Sequence, residues 1–161
     1  VILEKLTKSG AVYSPLISTG ILLILCGMAF KVAAFPFHFW AADVYDGSPL
    51  IITTYMGTLV KSAAIGAFFL LFKEAFSITN PGWSTTLSIV AALSILVGNI
   101  TAIFQTKFSR MLAYSGIAHA GYMLLAVVAM NEFGGTSIFF YSVSYGVATS
   151  VPLPSHCSCL Q

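Results

Sequence analysis

Long apolar runs alternate with short polar links along the chain, and these runs set its organisation. The first begins after Ser14-Pro15, where Ser14 suits an N-cap and Pro15 the first helical position, and predicts a span over about Leu16–Trp40. Later runs predict spans over about Leu50–Phe72, Leu87–Phe104 and Met111–Met130, each near the ~20 residues that cross a hydrocarbon core. A fifth starts near Thr136 and stops at Pro152 and Pro154, too short to cross ~30 Å as a helix. The expected class is an all-α integral membrane protein with about four complete transmembrane helices plus a truncated fifth. Turn and charge signals fall in the links: Asp43-Val-Tyr-Asp-Gly-Ser-Pro49, Asn80-Pro-Gly-Trp83 after Lys73 and Glu74, Gln105-Thr-Lys-Phe-Ser-Arg110, and Glu132 with Gly134 and Gly135. Val1–Ser14 is polar and reads as a short interfacial helix with Glu4, Lys5 and Lys8 toward water.

Polar groups inside the runs change the picture. Pro36 cannot donate to the Val32 carbonyl and its ring crowds a helix, so the first span is expected to break near Lys31. His38 follows Lys31 by seven residues, on about the same face if the helix continues. Lys61 falls at the centre of the second span, with Thr54 and Thr58 on its face. An ammonium at mid-membrane costs roughly 2.5–3.5 kcal/mol on insertion scales, which favours function over accident; snorkelling to the headgroups is the rival for Lys31 and is difficult from the position of Lys61. Desolvation and a second ammonium both disfavour the charged form, so such a lysine can trade a proton where arginine cannot. His38 and His119, the latter near mid-membrane beside Ser115 and Tyr122, are either helix–helix hydrogen-bond groups or proton carriers. Ser94, Gly98, Thr101 and Gln105 form a small, polar stripe that predicts a helix–helix contact. Trp40 and Tyr45 read as interfacial aromatics, and Asp43 and Asp46 as residues that brace the turn.

Composition agrees with a membrane chain: 58% of its 161 residues are hydrophobic and 7% charged, against about 25% charged in soluble domains. Mean hydropathy is +0.93. A net charge of +2 gives no reason to expect nucleic acid. Without an initial methionine or a cleavable signal, the chain reads as an internal fragment. Cys26 is expected in packing, and Cys157 and Cys159 are too few for a zinc site. There is no Gly-x-Gly-x-x-Gly, P-loop, iron–sulfur cysteine set or haem histidine pair, so the energy for any transport is expected from another chain. The basic link with Lys107 and Arg110 favours the cytoplasmic or matrix side, and alternation then puts the Asp43–Pro49 turn there too.

The segments Phe30-Lys-Val-Ala-Ala-Phe-Pro-Phe-His-Phe-Trp40, Asp43-Val-Tyr-Asp-Gly-Ser-Pro49, Lys61, and Gln105-Thr-Lys-Phe-Ser-Arg-Met-Leu-Ala-Tyr-Ser-Gly-Ile-Ala-His-Ala-Gly-Tyr122 are spread, in order, over more than half of the chain. In them the sequence resembles the antiporter-like membrane subunits of proton-translocating NADH:quinone oxidoreductase (respiratory complex I), and subunit N (subunit 2) most. The resemblance implies part of a fourteen-helix bundle built from two inverted five-helix repeats, each with a broken helix. It matches Lys31 to the lysine of the first broken helix, Lys61 to the central lysine, His38 to the histidine after the proline, and His119 to the later Ala-His histidine. These line a hydrated axis in which proton transfer is driven by quinone reduction in neighbouring subunits.

The resemblance further implies no cofactor in this chain, with NADH, FMN, iron–sulfur clusters and quinone in other subunits. Partners are then other membrane-arm subunits and the lipid bilayer, with quinone met only indirectly. The expected location is a bacterial inner membrane, with the mitochondrial inner membrane or thylakoid as alternatives. Residues 1–150 form the antiporter-like portion; Val151–Gln161 reads as a non-family tail from a frameshift or truncation. The rival readings are a cation/proton antiporter subunit and a truncated fragment without transport.

Overall fold

The computed structural model describes residues 15–75, 82–129 and 133–150. The expected interfacial helix over Val1–Ser14, the Asn80-Pro81 part of the turn, Glu132 and the Val151–Gln161 tail lie outside the described residues. The elements are α1 (Pro15–Val32), α2 (Phe39–Gly47), α3 (Leu50–Tyr55), a π-helical turn (Met56–Val60), α4 (Lys61–Ala75), α5 (Gly82–Ile103), α6 (Phe108–Ala129) and α7 (Gly134–Ser150). Among the described residues there is no strand.

Among the described residues, three helical stretches are long and apolar enough to cross a membrane: Ile51–Lys73, Trp83–Ile103 and Phe108–Ala129. They fall on the second, third and fourth expected spans. The first expected span is divided: α1 ends at Val32 and α2 begins at Phe39, so the apolar helix there is a shorter one, Thr19–Val32. The fifth run forms the 17-residue α7.

Small residues decide how the helices pack. A Cβ on Gly98 of α5 would stand 2.7 Å from the Ala118 backbone nitrogen, and one on Gly121 of α6 would stand 2.9 Å from the Ala91 carbonyl oxygen. The two backbones therefore touch where side chains are absent, the contact expected of the Ser94–Gly98 stripe. Around this pair α1 contributes Ile21, Leu25 and Val32, α4 contributes Ile65, Phe68 and Phe72, and Ile138 closes the core from α7. The outer face stays apolar: Leu16, Ile51, Ile103, Phe104, Phe139 and Phe140 are all strongly exposed on this chain. Such a surface suits lipid or neighbouring transmembrane helices.

Candidate functional site

The break between α1 and α2 is built so that its backbone polar groups are used. Ala33 takes a left-handed φ of 60°. Its N–H donates to the Phe30 carbonyl (3.1 Å), and the Ala34 N–H reaches back to the Ala29 carbonyl (2.9 Å). This pair of bonds is the Schellman ending of a helix, with alanine where glycine is usual. The next N–H, of Phe35, donates to the Ser94 hydroxyl of α5 at 2.9 Å, and Ser94 itself donates to the Val90 carbonyl at 2.7 Å. Pro36 follows a cis peptide bond and has no N–H. Finally the Trp40 indole donates to the Phe30 carbonyl at 3.3 Å. Irregular backbone at membrane depth is tolerated where protein satisfies it, and Ser94 and Trp40 supply that here. Trp40 thus helps to close the break as well as standing near a helix end.

The break also separates two residues that a continuous helix would have put on one face. Lys31 is exposed on this chain and lines an open groove with Met28, Tyr55, Leu59 and Ala63. His38 is only 4% exposed; its ring lies 4.4 Å from that of Phe39 and 6.5 Å from that of Tyr114, centroid to centroid. Its Nδ1 is buried without a hydrogen bond of good geometry. The expected break is present, so the shared face that a continuing helix would have given Lys31 and His38 does not form.

Lys61 opens α4 immediately after the π-helical turn, a feature often found at functional sites. It is 2% exposed and its Nζ makes no hydrogen bond to protein. Lysine is almost never fully buried unless paired, so a solitary buried amine is the most unusual group among the described residues. The Tyr45 ring centroid lies 5.7 Å from Nζ. Tyr45 is buried against Gly57 and Ala113, which corrects its reading as an interfacial aromatic. Thr58 is buried near Lys61 on the same helix, but its hydroxyl donates to the Thr54 carbonyl at 2.7 Å.

His119 faces this centre from α6. One turn earlier on the same helix, a Cβ on Gly116 would stand 3.0 Å from Lys61 Nζ, and the His119 Nδ1 is 2.7 Å from the Tyr141 hydroxyl. Its ring also lies 4.8 Å from that of Tyr145. The structure therefore brings Lys61 and His119 together, leaves His38 at the break, and turns Lys31 outward. Sequence reading missed Tyr141 and Tyr145; their one-turn spacing on α7 was the available signal.

At one end of the bundle, Lys107 donates to Asp46 at 2.8 Å, Arg110 pairs with Asp43, and the Arg110 Nε lies 3.3 Å from Asp46. The two links expected on one side do meet there. The Lys107 hydrogen bond, helped by the charges of Lys107 and Arg110, holds the Asp46 carboxyl below its ordinary value. Cys26 is exposed, which corrects its place in the packing. Among the described residues no three His, Cys, Asp or Glu side chains are grouped to hold a metal ion.

Comparison with known proteins agrees with this architecture. The family described as "NADH:quinone oxidoreductase/Mrp antiporter, TM" matches residues 2–152. A NADH-quinone oxidoreductase subunit N of Gemmatimonas aurantiaca is 46% identical over 139 residues, covering 86% of this chain and 27% of that protein. The subunit N of Cytophaga hutchinsonii is 45% identical, covering 86% of this chain and 30% of its own length. A chain of respiratory complex I from Thermus thermophilus with bound aureothin superposes with a TM-score of 0.71 at 40% identity, over 87% of this chain and 31% of that one. The chain thus spans less than a third of the relatives it matches. From the broken helix, the buried lysine and these matches together, the chain belongs to the transmembrane family shared by NADH:quinone oxidoreductases and Mrp antiporters.

Proposed function

We propose that the chain is a portion of subunit N in the membrane arm of a proton-translocating NADH:quinone oxidoreductase. In this reading it carries protons while NADH, FMN, iron–sulfur clusters and quinone are handled by other subunits. The bilayer is then a bacterial inner membrane, in keeping with the bacterial sources of the relatives. The observation that carries the reading is the Lys61 amine, 2% exposed and without a protein acceptor, in a helix that can cross a bilayer. A buried charge with no partner is costly, so its retention calls for a use. Three N–H donors with no protein acceptor leave water as the partner, and an amine can give a proton to water and take one back. In this scheme Lys61 exchanges with His119, while Lys31 and His38 serve the segment around the break.

The test is Lys61→Met in the full-length subunit within its complex, reconstituted in vesicles. Replacing an unpaired buried charge with an apolar side chain of similar length does not threaten assembly. Proton translocation and quinone-linked turnover should fall together. Normal pumping by a well-assembled variant would remove Lys61 from the mechanism, and sodium-dependent flux in its place would favour a cation antiporter.

A further inference from the structure

Gly116 lies on α6 one turn before His119. A Cβ on Gly116 would stand 2.8 Å from the Tyr145 hydroxyl and 3.0 Å from Lys61 Nζ. Side-chain ends from α4 and α7 therefore converge on one bare backbone position of α6. Lys61 Nζ makes no hydrogen bond, so it is not bonded to that phenol, yet both atoms lie about 3 Å from a single point. Two groups so placed are within reach of one bridging water. Tyr145 is itself 6% exposed and its ring lies tilted against that of His119, whose Nδ1 is already engaged by Tyr141.

We propose that Lys61, Gly116 and Tyr145 form a site for one water molecule, and that the Tyr145 hydroxyl relays a proton between Lys61 and His119. The inference rests on the reading of Lys61 as a proton carrier. An N–H bond of the Lys61 ammonium breaks as the water gains an O–H. The water gives one of its own protons to the Tyr145 oxygen, and Tyr145 releases its original proton to the His119 ring nitrogen that Tyr141 leaves free. The products are a neutral amine and an imidazolium, with water and phenol restored. Gly116 is required because any side chain there would enter the space that the water and both donors share.

The test uses the complete complex in vesicles with three variants. Tyr145→Phe removes one oxygen and should lower the rate of proton translocation at least fivefold with assembly retained. Gly116→Ala, whose methyl meets only the movable ends of Tyr145 and Lys61, should do the same. Incorporation of 3-fluorotyrosine at 145 keeps shape and hydroxyl but makes the phenol more acidic. It should restore pumping with an altered solvent deuterium isotope effect. Wild-type pumping by Tyr145→Phe alongside loss in Lys61→Met overturns the relay and leaves the proposed function standing. Normal pumping in Lys61→Met overturns both. If Tyr145→Phe fails to assemble, an unchanged rate and isotope effect with 3-fluorotyrosine overturns the relay by itself.

Discussion

Ser94 joins α5 to the broken segment through a bond between residues 59 apart in sequence, and its removal has a definite expected cost. Ser94→Ala keeps the Cβ and the packing of a fully buried position, so almost all of the effect comes from the lost hydroxyl. The Val90 carbonyl can keep its own helical hydrogen bond, so it loses little. The Phe35 N–H has no such substitute, since the Schellman bonds use the carbonyls of Ala29 and Phe30. A buried donor left unpaired costs about 1–3 kcal/mol, which corresponds to a roughly 5- to 150-fold rise in the open population of the 33–38 segment. Hydrogen–deuterium exchange of the Phe35 amide, measured on the assembled complex in lipid nanodiscs, should accelerate by that factor. Ser88→Ala is the matched control, because Ser88 bonds only its own helix at the Ser84 carbonyl. Equal exchange at Phe35 in the two variants would refute the assignment of Ser94 as the anchor of the break.

Ala33 occupies a left-handed conformation that costs an L-residue about 1–2 kcal/mol and a β-branched one more. Ala33→Val should therefore lower the amount of assembled complex on native gels, whereas Ala33→Gly should be tolerated. Gly98→Ala drives a methyl into the α6 backbone and should destabilise by about 1–3 kcal/mol in detergent unfolding, while Gly20→Ala, which meets nothing within 4 Å, should be neutral or better. The lowered Asp46 carboxyl value means that the ionised form is favoured in the folded state. Its contribution is then full above the ordinary carboxylate range and fades as pH falls through the folded value. The melting temperature should drop on acidification from pH ~4 toward pH ~3 by slightly more in the natural protein than in Asp46→Asn. The difference stays small because the Lys107 end of the pair is well exposed.

What the sequence disclosed best were features with a local cause. Pro36 forbids a continuing helix whatever surrounds it, so the break could be placed within a few residues. Lys61 stood out because its position in an apolar run fixes its depth. Features that depend on distant chain were hidden. No spacing rule links Ser94 to Phe35 or Tyr145 to Gly116, since each pair meets only through helix packing. Tyr45 looked interfacial beside a charged turn, yet Gly57 and Ala113 make room to bury it. A shared face for Lys31 and His38 depended on the helix continuing at 100° per residue, and the left-handed residue at Ala33 ends that register. The acidic turn and the basic link could be assigned to one side, but their ion pairs could not be matched residue by residue.

The burial of the Lys61 amine is tested most directly by amine labelling. Intact complex in sealed vesicles is treated at neutral pH with a membrane-impermeant amine reagent on either side and read by mass spectrometry at each lysine. Lys107, whose side chain is 66% exposed, should be modified from one side while Lys61 is protected from both. Modification of Lys61 at a rate like that of Lys107 would place its amine at the surface and contradict a proton path through it.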